Sequence, residues 1–233
     1  YKYSLCLVTI ALLSPISADP AKAQSDEDIR HVRVYYEEGM FAGWPANIGI
    51  WSWDNEILVG FVQAEYSATG GFHTYDQSTA RDKFARSQDG GVTWTIEDAY
   101  KHGQTASRYN NKLGDKARAP VKLTRPIDFS HPDLALTFLR QTNDIGPSHF
   151  YYSYDRGQSW KGAFKLPNLG TPGIATRTDY IIDGGGKLTA FFTVAKSNGH
   201  EGRVLTARTS DGGQSWNQAS LIGPEPEGFE IMP

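Results

Sequence analysis

Ser87-Gln88-Asp89-Gly90-Gly91-Val92-Thr93-Trp94 matches a pattern, [ST]-x-D-x-G-x-[ST]-W, that the chain repeats at 153–160 and at 209–216. The tryptophans that end the three copies are therefore 66 and 56 residues apart. A repeat of this period is typical of a protein built from similar β-sheet or solenoid units.

Each octapeptide predicts a tight turn between two strands. The carboxylate at its third position can accept hydrogen bonds from the backbone N–H groups that follow, and the glycine at its fifth position supplies a positive φ. The indole that ends it buries a large face between neighbouring sheets. We therefore expect these carboxylates and indoles to be structural and not catalytic: Asp89, Trp94, Asp155, Trp160, Asp211 and Trp216.

The octapeptide is the Asp-box, and the stretch from Arg30 to Pro233 resembles the sialidase-like β-propellers with BNR repeats. The resemblance implies an all-β propeller of four-stranded blades, six in the complete fold, of which this chain would hold about three and a half. It also implies that His31–Tyr36 is the outer strand that closes the ring. The chain is thus expected to be the N-terminal part of a longer exported protein.

Apolar runs between turn residues predict four strands in each of three blades. For blade one these are Ile48–Trp53, Glu56–Val62, Lys83–Arg86 and Trp94–Glu97. For blade two they are Val121–Ile127, Leu134–Arg140, His149–Tyr152 and Trp160–Phe164. For blade three they are Ile174–Ile182, Leu188–Ala195, Arg203–Arg208 and Trp216–Leu221.

Composition excludes several classes of function. The chain is 39% hydrophobic and 12% aromatic, as expected for a folded protein with a sizeable core. A net charge of −3 gives no electrostatic reason to expect nucleic acid or an anionic membrane as a partner. The sequence has no metal-ligand cluster, phosphate-binding loop or dinucleotide fingerprint, and Gly184-Gly185-Gly186 predicts a hairpin turn. We expect no metal and no cofactor.

The first 23 residues have the order of a secretory signal peptide. Lys2 precedes the apolar run Leu5–Leu13, and Ala21-Lys22-Ala23 provides an A-x-A cleavage site before Gln24. Nine apolar residues are too few to span about 30 Å of hydrocarbon. We expect a secreted or periplasmic protein of residues 24–233 that has no cysteine, because the single cysteine, Cys6, lies in the apolar run.

In a four-stranded meander the Asp-box turns fall on one face of the disc, and the entries to the inner strands fall on the other. We expect this second face to gather the polar side chains that act on a glycan. The predicted catalytic residues are His73, Asp76, Asp179 and Glu201. The predicted substrate-binding residues are Trp44, Asn47, Arg125, Arg177, His200, Arg203 and Glu230.

Each of these residues also has a purely structural interpretation. Arg177 and Asp179 are two apart in a predicted strand, so they share a face and could be a satisfied ion pair. Arg125 could stack on an aromatic ring or pair with Asp128. Glu201 and Arg203 could be a solvated loop pair, and Trp44 could belong to the core.

The sequence departs from the sialidase pattern where blade one begins. Sialidases have an Arg-Ile-Pro triplet there, whereas this chain reads Trp44-Pro45-Ala46-Asn47, so the proline aligns and the arginine is absent. The resemblance places the acid/base aspartate before the first Asp-box, where this chain has Asp76 beside His73. It places the tyrosine nucleophile beyond Pro233.

Three functions stay open at this point. The first is a secreted glycoside hydrolase that acts on acidic or complex glycans. The second is a non-catalytic glycan-binding or scaffold propeller, since one fold can carry both roles. The third is a polysaccharide lyase, in which His73 or a tyrosine would take a proton while Arg177 neutralises a uronate.

Overall fold

Antiparallel β-sheet makes up most of the regular structure, which confirms the prediction of an all-β fold. The computed structural model describes residues 30–69, 73–104, 119–142 and 145–228. From Val32 onward the chain forms one compact unit. Within the described residues, helix is limited to a single turn, α1 (Pro45–Ile48), and a 3₁₀ turn at Ala99–His102.

Among the described residues, three sheets follow one another along the chain. Sheet one consists of β1 (Met40–Gly43), β2 (Ile50–Trp53), β3 (Glu56–Glu65), β4 (Arg81–Ser87) and β5 (Thr95–Asp98). Sheet two consists of β6 (Ala135–Arg140), β7 (Ser148–Ser153) and β8 (Lys161–Lys165). Sheet three consists of β9 (Ile174–Ala175), β10 (Tyr180–Gly184), β11 (Lys187–Ala195), β12 (Glu201–Thr209) and β13 (Asn217–Ile222).

Sheets one and three share one topology. Two short strands lie in line along the same edge of a long strand: β1 and β2 pair with β3, and β9 and β10 pair with β11. Two more antiparallel strands then follow in chain order. The long strands β3 and β11 are rich in apolar residues and are buried along most of their length, as expected for central strands.

Two of the predicted strands are wrong. Val121–Ile127 is no strand of sheet two, because Val121 alone makes a bridge, which is parallel and joins it to Phe164 in β8. Leu123 and Ile127 are buried in the core that packs sheet two against sheet three, so their apolar character reflects burial and not strand pairing. His31–Tyr36 has no strand assignment either. Tyr35 of that segment packs on Phe61, with ring centroids 5.2 Å apart.

Two apolar clusters fill the spaces between the sheets. The first lies between sheets one and two and includes Trp51, Phe84 and Trp160. The second lies between sheets two and three and includes Phe138 and Trp216. Trp160, which ends the second octapeptide, therefore packs against sheet one, and Trp216, which ends the third, packs against sheet two.

The three octapeptides form the same turn. In the first, Asp89 accepts hydrogen bonds from the backbone N–H and the hydroxyl of Thr93, at 2.9 and 2.6 Å. Ser159 and Ser215 make the equivalent bonds in the other two copies. The hydrogen bonds that Asp89 accepts, of which those from Thr93 have the largest effect, lower the pKa of Asp89 to about 2. Each carboxylate is thus occupied in holding its own turn.

We expect Asp155→Ala to lower the free energy of unfolding by about 2–3 kcal/mol. The change removes the three hydrogen bonds that Asp155 accepts from Ser153 and Ser159, each worth about 1 kcal/mol. Urea denaturation measures the loss, and Asp155→Asn, which keeps an acceptor oxygen, should lose less. An Asp155→Ala chain that melts like the original but has lost its activity would contradict the structural role.

Candidate functional site

The candidate site lies where two short strands in line are separated, at the edge of sheet one and at the edge of sheet three. In sheet one, residues 44–49, which contain α1, separate β1 from β2. In sheet three, residues 176–179 separate β9 from β10. We call these segments the α1 break and the 176–179 break. The sequence predicted the second region as one continuous strand, Ile174–Ile182, and that prediction is wrong at the break.

Backbone geometry explains why β1 and β2 are not one strand. Trp44 precedes α1 in a left-handed conformation, with φ 56° and ψ 50°, which is costly for a bulky side chain. Gly49 ends the turn with φ 127° and ψ 170°, a combination open essentially to glycine alone. Between these two residues the chain leaves the sheet for one helical turn and then returns to it.

Thr178 connects the two breaks to sheet two. Its backbone N–H donates to the carbonyl of Ala46 in α1, at 3.1 Å. Its hydroxyl accepts the N–H of Phe138 in β6 at 3.0 Å and lies 3.2 Å from the hydroxyl of Thr137. Thr137 in turn donates to the carbonyl of Ile48, at 2.7 Å. One threonine at the break in sheet three is therefore bonded to the α1 break of sheet one and to β6 of sheet two.

A second contact joins the strands that follow the breaks. The indole N–H of Trp51 in β2 donates to the phenol oxygen of Tyr180 in β10, at 3.3 Å. Burial raises the pKa of Tyr180, partly offset by this bond, so the phenol stays neutral. The two breaks are thus held together on both sides.

A cavity of about 460 Å³ lies between the breaks. Its walls are mainly apolar, and its polar groups are supplied by the 176–179 break. The lining residues are Val34, Pro45, Ala46, Gly49, Ile50, Val59, Arg177, Thr178 and Asp179.

Arg177 is the cation of this cavity. It is 7% exposed, and its guanidinium donates to the carbonyls of Ala175 and Thr176, at 3.2 and 3.4 Å. Asp179 also lines the cavity but is exposed. Beside them, the fully buried hydroxyl of Thr176 has no hydrogen-bond partner in the part of the chain that the structure describes. The site thus combines a buried cation with an accessible carboxylate, an arrangement suited to an anionic ligand.

An aromatic group stands beside the α1 break. The ring of Trp44 meets His73 edge-on at 5.0 Å and Tyr75 at 5.2 Å between centroids, and Phe41 lies 4.8 Å away. Trp44 is half-buried and His73 is exposed. The structure therefore brings together two predicted site residues, although neither lines the cavity. Asn47, in α1, is half-buried and donates its backbone N–H to the carbonyl of Trp44.

Asp76 is engaged in a local turn. Its carboxylate accepts the backbone N–H of Ser78 at 2.8 Å and the hydroxyl of Ser78 at 2.7 Å. Its backbone carbonyl accepts from Thr79. Asp76 follows Tyr75 and so stands at the edge of the aromatic group, but it does not line the cavity between the breaks.

The predicted residues of the β11–β12 hairpin form a group of their own. Arg203 donates to the carbonyl of Gly223 at 3.3 Å and lies 3.7 Å from the carboxylate of Glu225, which also accepts from Ser197. His200 is exposed in the hairpin loop, and Glu201 begins β12. The expected convergence of all candidates on one site is therefore not found among the described residues. Glu230 lies outside the described residues.

Arg125 is placed away from the cavity, which corrects the expectation that it joins the other candidates. The carbonyl of Thr124 beside it accepts from the side chain of Gln214, in the third Asp-box turn, at 3.0 Å. The segment then passes under that turn, where Ile127 donates to the carbonyl of Gly212. Arg125 therefore belongs to the Asp-box end of the sheets, because the segment that carries it is not an inner strand.

The sequence did not predict that Thr178 connects the two breaks to sheet two. The available signal was a polar tetrapeptide, Thr176–Asp179, inside an otherwise apolar strand. Such a run indicates a break but does not show which hydroxyl bonds to another sheet. The described residues hold no group of three or more His, Cys, Asp or Glu that could bind a metal ion, and none of their helices is long and apolar enough to cross a membrane.

No protein-family model and no curated protein matches this sequence. Among solved structures, a Dyadobacter fermentans protein of unknown function is similar over 82% of this chain and 57% of its own length, with 16% identity and a TM-score of 0.53. This likeness concerns the fold alone, and the chain spans little more than half of that protein.

Sialidase structures are similar at a lower level. Trypanosoma rangeli sialidase with 2,3-difluorosialic acid matches 74% of this chain and 27% of its own length, with 15% identity and a TM-score of 0.42. The same sialidase with sialic acid gives 17% identity and a TM-score of 0.40, over 74% of this chain and 30% of the other. Scores below 0.5 do not assign the fold.

We expect Gly49→Ala to destabilise the chain more than Gly170→Ala does. A Cβ at Gly49 would lie 2.7 Å from the ring of Trp51 and 2.9 Å from the methyl group of Thr178. Gly170 also has a positive φ, 74°, but has nothing within 4 Å of that position, so alanine there meets a milder backbone cost and no steric contact. Thermal denaturation should show an additional loss of about 2 kcal/mol for Gly49→Ala. Equal losses would show that residues 44–49 are not closely packed against Thr178.

Proposed function

We propose that this chain is part of a secreted, sialidase-like glycoside hydrolase that acts on acidic or complex glycans, and that the cavity between the two breaks binds the anionic group of the glycan. The observation that carries the proposal is the placement of Arg177, a buried guanidinium in a cavity with apolar walls. The three Asp-box turns support a propeller architecture for the whole protein. The signal-like segment at residues 1–23 supports export.

Burial of Arg177 strengthens its attraction to an anion. Water is the medium that weakens charge–charge interactions, and Arg177 is only 7% exposed. A guanidinium also presents paired N–H donors that match the two oxygens of a carboxylate. A sugar acid is therefore the ligand class that fits this cavity best.

Asp179 and the aromatic group supply further parts of a glycosidase site. Hydrolysis of a glycosidic bond generally uses two carboxyl groups, one as acid or base and one as nucleophile or base. Asp179, accessible beside Arg177, is our candidate for one of them, and the second would come from Asp76, Glu201 or residues beyond the cavity. Trp44 and His73 would receive the face of a sugar ring next to the cleaved bond.

A glycan-binding propeller without catalysis is the second candidate. Asp179 is the one carboxylate among the described residues that line the cavity, and none of the described lining residues is a tyrosine or second carboxylate that could act as the nucleophile. A binding protein needs only the cation, the apolar walls and the aromatic rings. The two functions differ in one observable: the binding protein retains affinity for acidic glycans but releases no product.

We expect Arg177→Lys to reduce kcat/KM on an acidic glycan by about 10- to 150-fold. The change retains a charge but loses the paired donors, at a cost of about 1.5–3 kcal/mol. A neutral analogue of the same glycan should be cleaved almost as before. Turnover of both substrates by the full-length protein, with Arg208→Lys as the control for an exposed arginine, measures the difference.

Two outcomes would overturn this assignment. Equal losses on acidic and neutral substrates would show that Arg177 does not bind the anion. A lowered melting temperature with unchanged kcat/KM would show that Arg177 is a structural residue. The unmodified protein could cleave no glycan at all. In that case, tighter binding of the acidic glycan by the unmodified protein than by Arg177→Lys supports the binding function.

A further inference from the structure

Arg125, which is absent from the cavity, lies on a different surface that no part of the proposed function uses. The segment that carries it runs parallel to β8, the last strand of sheet two: Val121 donates to the carbonyl of Ala163 at 3.0 Å, and Lys165 donates to that of Val121 at 2.9 Å. We call the surface beside this segment the aromatic edge. It consists of Arg125, His131, Tyr152, Tyr154, Lys161 and Phe164.

The aromatic edge is a continuous row of rings. Tyr152 lies between Phe164, at 5.9 Å and nearly parallel to it, and Tyr154, at 5.0 Å between centroids. His131 stacks on Tyr154 at 4.4 Å. All four rings are half-buried and retain some exposure, and Tyr152, Tyr154 and Phe164 pack on the core below them. Fixed rings in a row can stack on successive sugars with little loss of conformational entropy.

Two exposed cations accompany the rings. The ammonium of Lys161 lies 5.6 Å from the centroids of both Tyr152 and Tyr154. The guanidinium of Arg125 is close enough for its charge to lower the pKa of Tyr152, against the larger effect of burial, which raises it. Both cations are exposed to solvent, and neither forms an ion pair among the described residues.

Asp128 lies on this side, close enough for its charge to act on Tyr154. Asp128 accepts the backbone N–H of Ser130 at 2.9 Å, and its own backbone N–H donates to the phenol oxygen of Tyr154, at 2.6 Å. The phenol of Tyr154 therefore keeps its proton available for donation. Burial raises the pKa of Tyr154, as it does for Tyr152, so both phenols are neutral donors at physiological pH.

We propose that the aromatic edge is a binding surface for an acidic polysaccharide, separate from the cavity. The rings stack on the sugar faces, while Arg125 and Lys161 bind carboxylate or sulfate groups on successive sugars. Two cations beside a row of rings suit a sugar chain that carries anionic groups. Duplex DNA, with one charge per ~1.7 Å, needs a denser basic surface than this chain of net charge −3 offers.

The proposal does not depend on whether the cavity is catalytic. A polymer held at the aromatic edge would raise the local concentration of chain ends near the cavity if the protein is a hydrolase. It would serve as a second point of attachment if the protein only binds glycans. In both cases the original chain and the variants share the same unaltered cavity, so the difference in affinity between them reports the edge.

The experiment compares two double variants of the full chain that remove the same charge. Arg125→Gln/Lys161→Gln alters the aromatic edge, and Lys187→Gln/Arg208→Gln removes two exposed cations that line another cavity, on sheet three. The probes are a hexamer of galacturonic acid, its neutral methyl ester and a sulfated oligosaccharide of similar length. Isothermal titration calorimetry at two salt concentrations gives the affinities, and thermal denaturation verifies folding.

We expect the first variant to bind at least one acidic probe about tenfold more weakly or worse, and the second variant to bind it like the original chain. The probe that loses affinity identifies the anionic group as carboxylate or sulfate. Tyr152→Leu, which keeps an apolar side chain but removes the ring, should weaken binding as well.

Three results would overturn the proposal. The methyl ester could bind as tightly as the acid, which would exclude a role for the cations. The Lys187→Gln/Arg208→Gln variant could lose as much affinity, which would place the anion on sheet three or leave only a general charge effect. A short DNA duplex could bind as tightly as the acidic sugars, which would identify the edge as a surface for nucleic acid. Loss of turnover by Arg177→Lys bears on the cavity alone, so the two proposals fail independently.

Discussion

The hydroxyl and backbone N–H of Thr178 set the arrangement on which the candidate site depends. Thr137 directs its own proton to the carbonyl of Ile48, and Thr178 accepts the N–H of Phe138, so the proton of Thr178 points to Thr137 or to the carbonyl of Phe138. Each bond is worth about 1 kcal/mol. Together they join three sheets at one residue, and they fix the backbone on either side of it. Arg177 and Asp179 are the residues so fixed.

Much of the fold follows from local sequence chemistry. The Asp-box turns are determined within eight residues, because the carboxylate, the glycine and the hydroxyl that closes the turn all lie close in sequence. The interruptions of the inner strands are different. The left-handed backbone of Trp44 is held by packing against Phe41 and against Tyr75, which is about thirty residues away in sequence. Likewise, Val121–Ile127 has the composition of a strand, and only the position of the neighbouring sheets shows that its apolar residues fill a core.

The candidate site was predictable in part. Strand order indicates which end of a sheet a residue occupies. The sequence therefore predicted that Arg177 and Asp179 lie near the segment that contains Pro45, and all three residues line the cavity. It does not indicate how far from the inner strands a side chain lies. For that reason Arg203 forms a separate group with Glu225, His200 stands in the nearby hairpin loop, and Arg125 lies with the aromatic edge. The apolar walls of the cavity, including Val34 and Val59, come from segments that carry no functional signal of their own.

The most direct test of the role of Thr178 is a double-mutant cycle with Thr137. The free energies of unfolding of Thr137→Val, Thr178→Val and the double variant, measured in urea, give the coupling energy between the two hydroxyls. Our account predicts a coupling of at least about 0.5 kcal/mol, as for residues in one hydrogen-bond network. A coupling indistinguishable from zero would contradict it, since the sheets would then be joined by apolar packing alone.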